Sequence, residues 1–163
     1  MAAKKSFTEE IGTLGALLRL PYQALAASMY AELAENGFPD IRPAFSSVFR
    51  HITPQGARVT DMAEQAQMTK QSMGYLVDAL HERGYVELVP DPSDRRAKLV
   101  RLTERGQAFL DAALALSHRN EERLAERMGR DEWAHLRRLL ERLNVEIAVL
   151  APNSPKKAGG GAP

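Results

Sequence analysis

Asp91-Pro92-Ser93-Asp94-Arg95-Arg96-Ala97-Lys98-Leu99-Val100-Arg101-Leu102-Thr103 is the stretch on which the fold turns. Two apolar runs, Tyr85–Val89 and Lys98–Leu102, flank a proline-bounded tip that carries the adjacent arginines Arg95 and Arg96. Short apolar runs on either side of turn-forming residues predict a β-hairpin, here with a cationic tip. The segment before it, Thr69 to Arg83, has Met73, Leu76, Val77 and Leu80 at i, i+3, i+4 and i+7, which is one buried face of a helix. Thr69 is suited to cap that helix and Gly84 to close it. A helix with a polar outer face followed by a hairpin predicts a winged helix-turn-helix. In that arrangement the helix enters a major groove of DNA, while the hairpin tip reaches a minor groove or the backbone.

Working outward, Thr60 is suited to cap the short first helix of the pair, with Asp61 in its first turn, the helix running to about Ala66 and a turn following at Gln67-Met68. Upstream, Leu14 to Glu35 reads as a long helix, starting near Ser6 or Thr8 and stopped by Asn36-Gly37. Leu17, Leu18, Leu25, Met29 and Leu33 approximate one apolar stripe, and Pro21 predicts a kink or a broken turn. A second helix should open at Pro43 and run to about Ile52, before a loop at Thr53–Gly56. Downstream, Thr103 should cap a helix through Phe109, Leu110, Ala113, Leu114 and Leu124 to Met128. After Gly129, Asp131 should cap a last helix carrying Trp133, Leu136, Leu139, Leu140, Leu143, Ile147 and Leu150. The tail Ala151–Pro163 lacks periodicity and is expected to be disordered.

The chain has 163 residues, net charge +1 and 44% hydrophobic residues, the profile of an ordinary globular domain. There is no cysteine, which excludes disulfides and thiolate chemistry. Met1-Ala2-Ala3-Lys4-Lys5 runs into Ser6-Phe7-Thr8-Glu9-Glu10 without a secretory apolar core, so a cytoplasmic protein with no membrane partner is expected. The four histidines, His51, His81, His118 and His135, form no close pair. His118 and Glu122 share a helix face but are too few for a metal site. No nucleophile elbow, phosphate loop or dinucleotide fingerprint occurs. Neither an enzyme nor a cofactor is expected. Basic charge is local: Arg83, Arg95, Arg96, Lys98 and Arg101 stand against Glu87, Asp91 and Asp94 around the hairpin.

On the recognition helix, Gln71, Tyr75, Asp78 and Glu82 point opposite the buried face. Contacts to bases come mainly from the N-terminal half of such helices, which selects Lys70, Gln71, Ser72 and Tyr75. Gln71 can pair with an adenine edge, Lys70 suits guanine or phosphate, and the hydroxyls of Thr69 and Ser72 suit phosphate near the helix N-terminus. Tyr75 can reach phosphate or a thymine methyl. Arg95 and Arg96 suit the negative potential of a narrow minor groove, with Asp94 orienting one of them through a salt bridge. Lys98 and Arg101 would touch the DNA backbone or pair with acidic neighbours. The competing reading of these residues is a solvated helix face and a solvated hairpin tip.

Four segments, Val59-Thr60-Asp61-Met62-Ala63-Glu64, Met68-Thr69-Lys70-Gln71-Ser72-Met73-Gly74-Tyr75-Leu76-Val77, Leu80-His81-Glu82-Arg83-Gly84-Tyr85-Val86-Glu87 and Asp91 through Thr103-Glu104-Arg105-Gly106, resemble the MarR family of bacterial transcription regulators. The Asp-Pro-x-Asp-Arg-Arg wing followed by Leu-Thr-x-x-Gly is the most specific part. The resemblance implies an obligate homodimer, triangular in outline, on pseudo-palindromic operators. It also implies small, often aromatic, ligands that weaken DNA binding, and Arg96 as the inserted wing residue. Family effectors sit between the helical arms and the wing domain, where Tyr22, Tyr30, Arg42, Phe45, Phe49 and His51 are candidates; the spacing of Phe45 and Phe49, at i and i+4, is more often that of core residues. Two departures stand out. Gln67 occupies a turn position where the family often has glycine. Gly74 and Tyr75 replace a small polar residue and an arginine, so base preference does not carry over from arginine-bearing relatives.

The expected fold is mainly α with a small β-hairpin wing. It comprises an N-terminal helical arm (1–40), a winged helix-turn-helix (41–102, recognition helix about 69–83, wing about 85–102), C-terminal helices (103–150) and a tail (151–163). The long apolar end helices carry more surface than one wing domain can bury, which implies dimerisation through both arms. The expected function is a homodimeric repressor on an inverted-repeat double-stranded DNA operator near its own gene, released by a small-molecule effector. The alternatives are a transcriptional activator and a winged-helix dimer that binds protein.

Overall fold

Residues 12–150 are described by a computed structural model, the side chains of Arg95 and Leu150 excepted. The expected helix start near Ser6 or Thr8 and the tail 151–163 lie outside the described residues. Helix α1 spans Leu14–Glu35 and is capped by Thr13, whose Oγ1 accepts the Ala16 N–H at 3.3 Å. It runs unbroken through Pro21, so the break expected there does not occur.

Three helices end in the same way. After α1, Gly37 takes φ +97° and the Phe38 N–H returns to the Leu33 carbonyl at 3.0 Å. Helix α3 (Val59–Gln65) ends with Gln67 at φ +53° and Met68 N–H on Ala63 O at 2.8 Å. Helix α4 (Lys70–Glu82) ends with Gly84 at φ +72° and Tyr85 N–H on Leu80 O at 2.9 Å. In each, one left-handed residue lets an apolar residue fold back onto the last turn and satisfy an orphan carbonyl. Gln67 does so without glycine's freedom, at a backbone cost of about 1 kcal/mol.

Two expected helix boundaries move. The segment from Pro43 is a 3₁₀ turn (Pro43–Phe45) followed by a single α turn, α2 (Ser46–Phe49), and stops short of Ile52. Pro54 disfavours helical geometry at Thr53, and the chain leaves the helix through turns at Arg50 and His51. Helix α3 is entered from Arg58, not Thr60, and Thr60 Oγ1 donates to Asp61 Oδ1 at 3.0 Å. The cause is tertiary: Ala57 pairs with Val100 through two backbone hydrogen bonds, which holds the chain extended up to Arg58.

The wing consists of β1 (Val86–Asp91) and β2 (Asp94–Leu102), antiparallel, in register from Val86↔Leu102 to Pro90↔Lys98. Helix α5 (Glu104–Met128) follows, with Thr103 Oγ1 accepting the Gly106 N–H at 3.1 Å. Helix α6 (Arg130–Leu150) begins directly after Gly129, so Asp131 lies in its first turn and not at its cap.

The chain divides into two units, one up to Ser117 and one from His118. In the first, Leu33, Val48, Met62, Met73, Val77, Leu80, Tyr85 and Val100 are essentially solvent-free. Phe38, Phe49, Tyr85 and Phe109 form an aromatic cluster with ring centroids 4.6–6.4 Å apart. In the second unit, Arg130 pairs with Glu122 and Arg137 with Glu121. Among the described residues, no helix is long and apolar enough to cross a membrane.

Candidate nucleic-acid interface

The recognition helix α4 is set by its two faces. Met73, Leu76, Val77 and Leu80 are buried, which turns Lys70, Gln71, Ser72 and Tyr75 to solvent; Tyr75 is 74% exposed. Thr69 caps the helix through its Oγ1, which accepts the Ser72 N–H at 3.1 Å and donates to Ser72 Oγ at 2.8 Å. This links two of the hydroxyls expected at phosphate and defines the helix N-terminus. Gln71, Ser72 and Tyr75 also border a shallow groove completed by Ala44, Ser47, Met68 and Leu76.

The wing tip differs from the sequence expectation. The turn itself is Pro92-Ser93, and the arginines lie on β2, not in the turn. Pro90 pairs with Lys98 and Asp91 with Asp94, so Arg95, Arg96 and Ala97 have no counterpart on β1. They form a bulge on the second strand. Bulges re-aim side chains and end the regular ladder. Arg96 is exposed; the side chain of Arg95 lies outside the described residues.

Asp94 shapes the strand directly, since its Oδ1 accepts the Arg96 backbone N–H at 3.0 Å; the salt bridge expected of it involves an arginine side chain that, for Arg95, lies outside the described residues. An ion pair that the sequence did not suggest sits one turn away, between Arg58 and Asp91. Asp91 is nearly solvent-free; its Oδ1 accepts Ser93 N–H at 2.8 Å and Ser93 Oγ–H at 2.7 Å, and its Oδ2 accepts Arg58 Nε–H at 2.7 Å. The two Ser93 bonds and the Arg58 guanidinium hold its carboxyl down at about 2. Arg101, expected at DNA or an acidic neighbour, donates from Nε to the Gln55 carbonyl at 3.0 Å.

A second polar cluster lies where the recognition helix passes into the wing. The buried Tyr85 hydroxyl donates to Asp40 Oδ1 at 2.6 Å and accepts from Arg105 Nη2 at 3.1 Å; the Arg105 guanidinium stands 4.5 Å from the ring centroid. Burial and the bond to Asp40 raise the tyrosine's pKa. The partners are 45 and 20 residues away in sequence, so no local pattern points to them.

The six residues considered for an effector are distributed between surface and core. Tyr22 is exposed on α1, while Tyr30 is half-buried, with its pKa raised by burial and by Tyr22. Phe45 is buried under the Arg83 guanidinium, 5.6 Å from the ring centroid. Phe49 stacks on Phe109 in the aromatic cluster. His51 Nδ1 lies 3.3 Å from Gln65 Oε1, and Arg42 is exposed before Pro43.

Residues 46–97, from α2 through the wing bulge, match the model of the MarR family. Over those residues the chain is similar to the MarR family. The chain is also 30% identical over 107 residues to the HTH-type transcriptional repressor NicR of Pseudomonas putida, a stretch that covers 66% of this chain and just under two thirds, 65%, of NicR. The transcriptional repressor CouR, solved bound to a 23-mer DNA duplex, is 27% identical with a TM-score of 0.58 over 87% of this chain and 99% of CouR. The MarR-family transcription regulator SP03579 superposes with a TM-score of 0.68 at 19% identity, over 92% of this chain and all of that one, which establishes the shared winged-helix fold. These similar proteins are named as regulators of transcription, not as enzymes.

Proposed function

We propose that this chain is a sequence-specific DNA-binding transcription regulator, acting in the cytoplasm as a homodimeric repressor on an inverted-repeat operator. The observation that carries this reading is the exposed polar face of α4 beside a wing whose second strand bulges at its arginines. Lys70, Gln71, Ser72 and Tyr75 read base edges, Thr69 and the helix N-terminus hold phosphate, and Arg95 and Arg96 reach the minor groove with Asp94 shaping the bulge. Residues 41–102 form the reading head; 1–40 and 103–150 supply the dimer. Support for the dimer comes from apolar side chains left in water: Leu14, Leu17, Leu20 and Leu25 on α1, and Leu139, Val145, Ile147 and Val149 on α6. A second copy is the occupant that removes them from solvent. Two recognition helices would then sit roughly 34–36 Å apart, one turn of DNA. A small aromatic effector that favours a different spacing of the heads would release the operator. Tyr22, Tyr30, Arg42, Phe45, Phe49 and His51 remain its candidate contacts.

The test is titration of the protein against DNA flanking its gene at several salt concentrations, with a footprint and with Arg95→Ala/Arg96→Ala in parallel. A protected two-fold site is expected, with log affinity falling by about 0.9 per neutralised phosphate per log unit of salt. The double variant should lose roughly tenfold or more in affinity and still dimerise. Weak binding without a footprint, equal for both proteins, would overturn the reading and favour a protein-binding module.

A further inference from the structure

The wing has a weak point that its sequence conceals. Between Val86 and Pro90 it is a regular ladder, and Val100 is pinned from the other side by Ala57. Beyond Pro90, which has no N–H to give, only Asp91↔Asp94 remains paired, and three residues of β2 bulge out. The arginines that the proposed function places in the minor groove lie in this weakly held part.

From the geometry we infer that Arg58 is a positioning residue for DNA binding: it latches the wing tip to the body of the unit and so holds the Arg95–Arg96 bulge in its DNA-facing conformation. The inference rests on the DNA-binding reading above and adds a residue to it. Arg58 leaves the extended entry to α3, anchored by the Ala57–Val100 pairing, and spans to the tip. Its Nε and Nη2 both meet Asp91 Oδ2, at 2.7 and 2.6 Å, and Nη2 donates on to Ser93 Oγ at 3.3 Å. Among the described residues, the tip's side-chain hydrogen bonds to the body of the unit all come from Arg58. The latched carboxylate is nearly solvent-free and also ties Ser93 through its backbone and hydroxyl. Such a charge-assisted fork is directional, and the bulge begins two residues after Ser93. The guanidinium of Arg58 is one-third exposed, so a direct phosphate contact is the rival role that the test must separate.

Asp91→Asn separates them by sign. It turns an amide N–H toward the Arg58 donors and opens the latch, yet it removes a negative charge beside DNA. Electrostatics alone would tighten binding; the latch predicts weaker binding. Operator affinity of Asp91→Asn and of Arg58→Met is expected to fall about tenfold. Added to Arg95→Ala/Arg96→Ala, either should change affinity less than about twofold, because coupled residues do not add. Unchanged or tighter binding by Asp91→Asn overturns the latch, as does an undiminished effect of Arg58→Met without the wing arginines. Hydrogen exchange on the free full-length protein keeps the question open to an answer if no operator is found. Opening the latch should speed exchange at the Ser93 and Arg96 amides about tenfold in Arg58→Met while leaving α4 protected, and unchanged exchange there overturns the proposal. A wild-type protein with no footprint but a fast-exchanging Arg58→Met tip would defeat the DNA-binding reading and leave the latch standing.

Discussion

Two glycines inside helices should respond to the same substitution with opposite sign. A Cβ on Gly106 would lie 2.1 Å from the Tyr85 carbonyl oxygen and 3.1 Å from Leu102 Cδ2. Relief needs a retreat of about 1 Å, and α5 is tied to that spot twice: Thr103 N–H donates to the same Tyr85 carbonyl at 3.1 Å, and Thr103 Oγ1 donates to the Gly84 carbonyl at 2.6 Å. Overpacking costs about 1–3 kcal/mol and each weakened hydrogen bond about 1 kcal/mol, against a gain of up to about 1 kcal/mol from replacing a helical glycine. The net is a loss of about 3 kcal/mol, or roughly 6–12 °C in Tm for a chain of this size. Gly74, in α4, has nothing within 4 Å of a built Cβ, so Gly74→Ala should gain up to about 1 kcal/mol through helix propensity alone. Thermal unfolding by circular dichroism, at one protein concentration because dimers shift Tm by mass action, with urea unfolding for the m-value, reads both. If Gly106→Ala lost less than about 1 kcal/mol, or if both variants moved Tm in the same direction, the close helix–carbonyl approach would be refuted.

Tyr85→Phe keeps the ring under Arg105 and deletes the hydroxyl shared by Asp40 and Arg105; it should cost about 1.5–3 kcal/mol, as for hydrogen bonds to charged groups, and an unchanged urea midpoint would show that the cluster contributes nothing. Thr69→Ala should cost about 1 kcal/mol through loss of the α4 cap and lower Tm by about 2–4 °C; an unchanged Tm would refute that contribution. Asp91 has a depressed folded-state pKa, so its stabilisation is fully present above the ordinary carboxylate value, near pH 4, and is lost as pH falls through about 2. The stability gap between wild type and Asp91→Asn should therefore be constant above about pH 4 and close toward pH 2; a gap that already narrows between pH 7 and 5 would assign the effect to another group.

What was legible in the chain was whatever the backbone decides locally. The period of Met73, Leu76, Val77 and Leu80 placed the recognition helix and its buried face, because a helix exposes one side every 3.6 residues regardless of its partners. Thr69 and Thr103 marked helix starts, and Gly37 and Gly84 marked helix ends, because capping is satisfied within one turn. The polar face of α4 followed from the same geometry. Tertiary structure decided the rest. The entry to α3 moved to Arg58 because a strand pairing with Val100, distant in sequence, holds Ala57 extended. The arginines moved from turn to bulge because the register of two strands, not composition, sets which residues lack a partner. The Arg58–Asp91 latch spans 33 residues, and the Asp40–Tyr85–Arg105 cluster spans 65. A side chain that completes its hydrogen bonds across such separations leaves no periodic trace in the sequence, since its partner is chosen by packing and by the cost of burying an unpaired polar group.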